Sequence, residues 1–131
     1  MKFNKLIPEL EVNDLDKSLD FYVKTLGFKI EYARPEDKFV FLSLQGSQIM
    51  IQEEKEGESK KGAGLVFQIE VNAIEPFIKL LNQNNYNIKE QIRERWFRKD
   101  NKLVGMKAFI VSDPDGFDLM IFEDLGEKKL S

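Results

Sequence analysis

A chain of 131 residues with 42% hydrophobic content suffices for one well-buried domain, or for two small modules sharing a core. Its 20 basic and 23 acidic residues are spread along the whole length and sum to −3, which leaves no basic footprint for nucleic acid. With neither cysteine nor histidine there are no disulfides, thiolate nucleophiles, zinc–sulfur sites, histidine triads or 2-His-1-carboxylate iron sites; carboxylates remain as hard-cation ligands, without any DxDxDG spacing.

MKFNKLIPEL at the start lacks the apolar stretch of a signal peptide, and no run reaches the ~20 apolar residues of a membrane span, so a cytoplasmic protein is expected. KLIPELEV, residues 5–12, alternates like a half-buried strand, with Pro8, Leu10 and Val12 on one side and Ile7, Glu9 and Glu11 on the other. Asn13 or Asp14 is placed to cap a helix. In LDKSLDFYVKTLGF, Leu15, Leu19, Tyr22, Val23 and Leu26 recur at helical spacing, and Gly27 stands where a helix stops. Three strands are predicted next, in FKIEYAR, FVFLSL and SQIMIQEE.

EKEGESKKGA, residues 54–63, is charged and aperiodic and reads as a solvated linker. The order then repeats. GLVFQIEV is a predicted strand, AIEPFIKLLNQNN a helix that tolerates Pro76 only in its first turn, and YNIKEQIRE, GMKAFIVS and FDLMIFED are further strands. The expectation is one α+β domain, 1–131, of two βαβββ modules at about 1–54 and 64–131, with 55–63 between them. Such modules cover one sheet face each with a helix, and the other faces are expected to form a curved mixed sheet around a cleft.

The repeat shows in the sequence itself. Glu11-Val12-Asn13 and Glu70-Val71-Asn72 lie 59 apart, whereas Gly46 and Gly116 lie 70 apart. The difference points to an insertion in the second half, most simply RWFRKDNKLVG, so residues 94–105 are predicted to be a long functional loop.

IPELEVNDLDKSLDFYVKTLGF and GMKAFIVSDPDGFDLMIFE together resemble the glyoxalase, bleomycin-resistance and ring-cleaving dioxygenase superfamily, the vicinal oxygen chelate proteins. The resemblance lies in a strand, an Asp-Leu, Ser and Phe-Tyr helix ending in Leu-Gly-Phe, and a DPDG turn before the last strand. It implies four metal-ligand positions, one on the first and one on the last strand of each module. They fall at Ile7 and Val66, and at Met50 (or Gln52 in a shifted register) and Met120. Relatives place His, Gln or Glu there, and none of the four residues here is a plausible ligand for a hard or borderline cation. No metal and no cofactor are therefore expected.

What remains is an apolar floor. Strand alternation puts Glu9 and Glu11 on the side of Ile7, and Gln68 and Glu70 on the side of Val66; Glu11 and Glu70 border the helix caps, where hydration is the simpler role. A carboxylate facing a partly desolvated cavity needs a cation, from a neighbouring Lys or Arg or from a ligand. Phe39 and Phe41 are predicted to face the same side. Trp96, among Arg93, Glu94, Arg95, Arg98 and Lys99, either stacks on a planar ligand or plugs a barrel end or dimer seam. The expected ligand-binding set is thus Glu9, Glu11, Phe39, Phe41, Met50, Gln52, Gln68, Trp96 and Met120.

The resemblance is nearest to the bleomycin-resistance proteins, and implies a homodimer that sequesters a cationic, planar-tailed glycopeptide antibiotic, with Pro8 in the segment exchanged between subunits. Arg95, Arg98, Lys99 and Lys102 instead favour an anionic metabolite if they line the cleft. Two alternatives stand beside this: an enzyme of the same fold with a shifted metal site or a Glu9 base, and a paralogue acting only through assembly.

Overall fold

The computed structural model describes residues 2–54 and 65–130; the linker predicted at 55–63 lies outside the described residues. By their contacts the residues divide into two units, Met1–Leu65 with Asp113–Phe117, and Val66–Ser112 with Asp118–Ser131.

The first unit runs β1 (Glu9–Val12), α1 (Leu15–Leu19) continued by a π-helical segment (Asp20–Thr25), β2 (Lys29–Arg34), a 3-10 turn (Pro35–Asp37), β3 (Phe39–Leu44) and β4 (Ser47–Glu53). The second runs β5 (Val66–Glu70), α2 (Glu75–Gln83), β6 (Ile88–Lys99), β7 (Lys102–Ser112) and β8 (Asp118–Lys129). Each contains a four-stranded sheet, β1-β4-β3-β2 in the first and β5-β8-β7-β6 in the second. Only β1–β4 and β5–β8 are parallel, so both sheets are mixed and the fold is α+β.

Register repeats as the sequence does. Glu9 lies opposite Met50 in the first sheet and Gln68 opposite Met120 in the second, pairs related by the offsets of 59 and 70. A second correspondence lies on the helix-covered faces. Glu53 Oε1 accepts from the Leu15 backbone N–H at 2.9 Å, and Glu123 Oε1 accepts from the Ile74 N–H at 2.9 Å. Each carboxylate ends a run of buried residues, Ile49 and Ile51 or Leu119 and Ile121, and satisfies an N–H at a helix start that has no intrahelical partner.

The first helical stretch is α-helical for only five residues and then widens. Phe21, Tyr22, Thr25 and Leu26 are all buried, a spacing that a wider turn keeps on one side. Asp14 caps the start by accepting from the Lys17 N–H, and Gly27, at φ 85, ends the segment. In α2, Pro76 sits in the first turn, where its missing N–H costs nothing.

Two polar groups fasten the DPDG turn within the first unit. The Tyr22 hydroxyl donates to Asp113 Oδ2 at 2.6 Å, and the Asn13 N–H donates to Asp115 Oδ1 at 2.9 Å. Asp113 Oδ1 also accepts from the N–H groups of Asp115 and Phe117. Burial raises the pKa of Asp113, with these hydrogen bonds pulling the other way; burial and then the Asp113 charge push Tyr22 well above its ordinary value.

Residues 94–105 do not form the predicted loop. They complete a hairpin, β6–β7, in which Lys99 faces Lys102 across a two-residue turn of Asp100, at φ 57, and Asn101. Asp and Asn are side chains that tolerate this left-handed geometry, so the turn signal was present; charge on both faces of RERWFRK hid the strand alternation beside it. β8 follows β7 to Lys129, absorbing an irregularity between Gly105 and Met106 with one extra residue, Leu125.

Candidate functional site

The helix-free face of the first sheet carries one row of Glu9, Met50, Phe41 and Tyr32 and a second of Glu11, Gln52, Phe39 and Arg34. Alternation fixes this: Leu10, Val12, Val40, Leu42, Ile49 and Ile51 are buried on the other face. Met50 and Gln52 are half-buried, and Glu9 and Glu11 are exposed.

Phe39 and Phe41 lie on that face but are only 3% and 0% exposed, so they are covered. The Phe3 ring stacks on Phe41 with centroids 5.2 Å apart, Tyr32 packs on both rings, and the Arg34 guanidinium stands 4.0 Å from the Phe39 centroid. Arg34 also donates to Asp37 at 3.1 Å. These rings therefore already hold a cation and a flat partner from the chain itself.

On the second sheet Val66 lies opposite Asp118, and Gln68, Met120 and Ile110 form a row that reaches Glu90. Val66, Gln68 and Glu70 are exposed and Met120 is half-buried. Ser112 and Lys89 both donate to Asp118; burial raises its pKa, but those hydrogen bonds outweigh burial and hold the carboxyl below its ordinary value, unlike a proton-accepting base near neutral pH. Further along this face a groove of about 350 Å³ is lined by Phe97, Val104, Met106 and Phe122, with Lys99, Asp124 and Glu127 at its charged positions.

Trp96 is not on this face. It pairs with Gly105, in the alternate set that includes Lys107, Phe109 and Val111, and Lys107 reaches Glu75 at the start of α2. Its indole lies flat over Gly105, donates from Nε1 to Glu94 Oε2 at 3.0 Å, and carries Lys128 Nζ 3.9 Å from the ring centroid. One residue's difference in strand parity decides this, and a segment predicted as a loop carries no parity. The basic residues divide by the same rule. Arg93, Arg95, Lys99 and Lys102 share the Met120 face and Arg98 the other, with Arg93 and Arg95 against Glu90 and Lys102 against Glu127.

A family model described as the Glyoxalase/Bleomycin resistance protein/Dioxygenase superfamily matches residues 8–121. The chain belongs to this superfamily. Solved structures agree on the fold. A superfamily member from Alicyclobacillus acidocaldarius aligns with a TM-score of 0.70 at 20% identity, covering 93% of this chain and 92% of its own. TioX from Micromonospora sp. ML1 aligns with a TM-score of 0.72 at 17% identity, covering 94% and 100%. A virulence protein from Salmonella typhimurium aligns at 0.67 with 18% identity, covering 94% and 98%. No curated protein matches in sequence.

Of the residues expected at the ligand positions, Ile7 and Met50 (or Gln52) stand in the first unit and Val66 and Met120 in the second. Two branched hydrocarbons and two thioethers do not fit a divalent metal ion that needs oxygen or imidazole donors. Among the described residues no group of three or more Asp or Glu side chains is gathered as a metal site elsewhere. Among the described residues no helix is long and apolar enough to cross a membrane.

Phe3, Tyr32, Arg34 and the groove residues Phe97, Met106 and Phe122 were not among the expected site residues. Tyr32 and Arg34 alternate within FKIEYAR and were open to the same parity argument as Phe39; Phe3 was not, because β1, the first helical segment, β2 and the 3-10 turn separate it from Phe41 in the chain.

Proposed function

We propose that this chain is a metal-independent small-molecule binding protein that sequesters a bleomycin-type antibiotic, a cationic glycopeptide with a planar tail. The observation that carries the reading is one of residue chemistry: Ile7 and Met50 in the first unit, and Val66 and Met120 in the second, are apolar side chains at the positions that the resemblance assigns to metal ligands. In the first unit Tyr32, Phe39 and Phe41 are aromatic residues of the helix-free face, on the rows that begin at Glu9 and Glu11, and the second unit has a groove of its own with Asp124 and Glu127. Arg34 on Phe39 is an internal precedent for a cation over these rings.

The test is calorimetry of the full chain with metal-free bleomycin, together with protection of DNA from bleomycin cleavage. Micromolar binding with protection is the expected result; no heat and no protection discard the antibiotic. A second reading, an anionic metabolite as ligand, is favoured by Arg93, Arg95 and Lys99 on the Met120 face. Heat from a flat polycarboxylate, with none from bleomycin, selects it.

A further inference from the structure

The segment before β1 is laid across the first sheet by a small number of solvent-exposed contacts. The Asn4 N–H donates to Gln48 Oε1 at 2.7 Å, Asn4 Nδ2 donates to the Gly46 carbonyl at 2.9 Å, and Gln48 Nε2 donates to the Lys2 carbonyl at 2.6 Å. These bonds place the Phe3 ring on Phe41 at an interplanar angle of 27°. Exposed hydrogen bonds add little net stability because water replaces them readily.

Phe3 is not a core residue. It remains 50% exposed, and Leu6, between it and β1, is 86% exposed, whereas Phe41 beneath it is fully buried. Phe41 lies beside Met50 on one strand and Tyr32 on the other. The geometry is that of a flat apolar platform with one half-exposed ring resting on it. A planar aromatic group from outside would find the same stacking partner and the same polarizable thioether at its edge.

We infer that Phe41, flanked by Tyr32 and Met50, is a stacking subsite for a flat aromatic group, and that Phe3 is its displaceable cover, occupying the subsite in cis. This rests on the reading that the helix-free face of the first unit binds ligand. The cover makes each binding event a competition: affinity is lowered by the fraction of molecules in which Phe3 is seated. An aromatic stacking pair of ordinary strength corresponds to a factor of about 2 to 12.

The experiment uses the full chain and proflavine, a flat aromatic cation, in fluorescence titrations of wild type, Phe3→Ala and Phe3→Trp, with proton–nitrogen NMR of the Asn4 amide and the Gln48 side-chain amide. Phe3→Ala tightens proflavine binding about 2- to 12-fold, Phe3→Trp weakens it, and saturating probe shifts the Asn4 and Gln48 signals in wild type. Affinity unchanged across the series, weaker binding to Phe3→Ala, or no binding to it at all overturns the inference. Phe41 is fully buried and its truncation threatens the fold, so the series rests on Phe3 alone. The two readings fail separately. Bleomycin that binds wild type and Phe3→Ala equally and leaves the Asn4 amide unmoved removes the cover; absence of bleomycin heat with the proflavine series intact removes the antibiotic.

Discussion

Gly105 lies beneath Trp96, and the reason it must be glycine can be tested directly. A Cβ built there falls 2.6–2.7 Å from three atoms of the indole, about 1 Å inside ordinary carbon–carbon contact. Gly105→Ala therefore forces the ring off its seat and away from Lys128. Overpacking of this kind costs about 1–3 kcal/mol, and the displaced cation–π contact adds about 0.5–1 kcal/mol. In a Trp96→Ala background the obstruction is gone, and Gly105→Ala should be neutral or stabilising by up to about 1 kcal/mol, because alanine loses less backbone freedom than glycine in a strand. The double-mutant cycle then gives a coupling of about 1.5–5 kcal/mol, far above the additivity error for distant sites. Urea unfolding followed by far-ultraviolet circular dichroism supplies the four stabilities. Trp96 is the sole tryptophan, so its emission in Gly105→Ala reports the ring directly and should shift to the red. Equal cost of Gly105→Ala with and without the indole, or unmoved emission, would refute the close-approach argument.

Tyr22→Phe removes the buried donor to Asp113 and should cost about 1.5–3 kcal/mol near neutral pH, the range for hydrogen bonds to charged groups. The sign of its pH dependence follows from the raised folded-state pKa of Asp113: the native state takes up a proton before the unfolded chain does, so this group's contribution to stability falls as pH rises between the unfolded and folded values and is constant above both. Losing the Tyr22 hydrogen bond raises the folded value further, so the deficit of Tyr22→Phe shrinks on acidification; urea titrations from neutral pH to about 4, the ordinary aspartate range, would show a pH-independent deficit if this were wrong. Glu53→Ala and Glu123→Ala should each cost about 0.5–2 kcal/mol as helix-start acceptors, and a Glu123→Ala protein of wild-type stability would remove that role. Dialysis against a chelator should leave bleomycin binding unchanged in calorimetry, whereas loss restored by a divalent ion would return the metal to the site. Light scattering of the eluted protein should give the mass of a homodimer; a monomer at micromolar concentration contradicts the expected assembly.

Much of the architecture was legible because it rests on short-range rules. Leu10 and Val12 against Glu9 and Glu11, and Val40 and Leu42 against Phe39 and Phe41, sort by a period of two, and the structure places them on the sides that period assigns. Asp14, Gly27 and Pro76 stand at helix boundaries for local steric and hydrogen-bonding reasons. The hairpin through Asp100 and Asn101 was missed because its strands are charged on both faces, and with it went the side on which Trp96 stands. Glu53 and Glu123 were visible in principle: they lie 70 apart, the spacing of the glycine turns, and a carboxylate repeated at that offset asked for a shared structural duty. Which flat surfaces are covered was not legible, because Phe3 reaches Phe41 through tertiary hydrogen bonds to Gln48 and Gly46 that no local pattern encodes.

The DPDG turn has a bearing on how the molecule is made. Residues 113–117 leave the second sheet after β7, satisfy Tyr22 and Asn13 in the first unit, and return to begin β8. During synthesis the first helical segment therefore waits with a buried hydroxyl and a backbone amide lacking their acceptors until residues 113–115 have emerged. An isolated fragment ending near Leu65 lacks those acceptors too, so the first module alone is left with a hydroxyl and a backbone amide that only residues 113–115 satisfy.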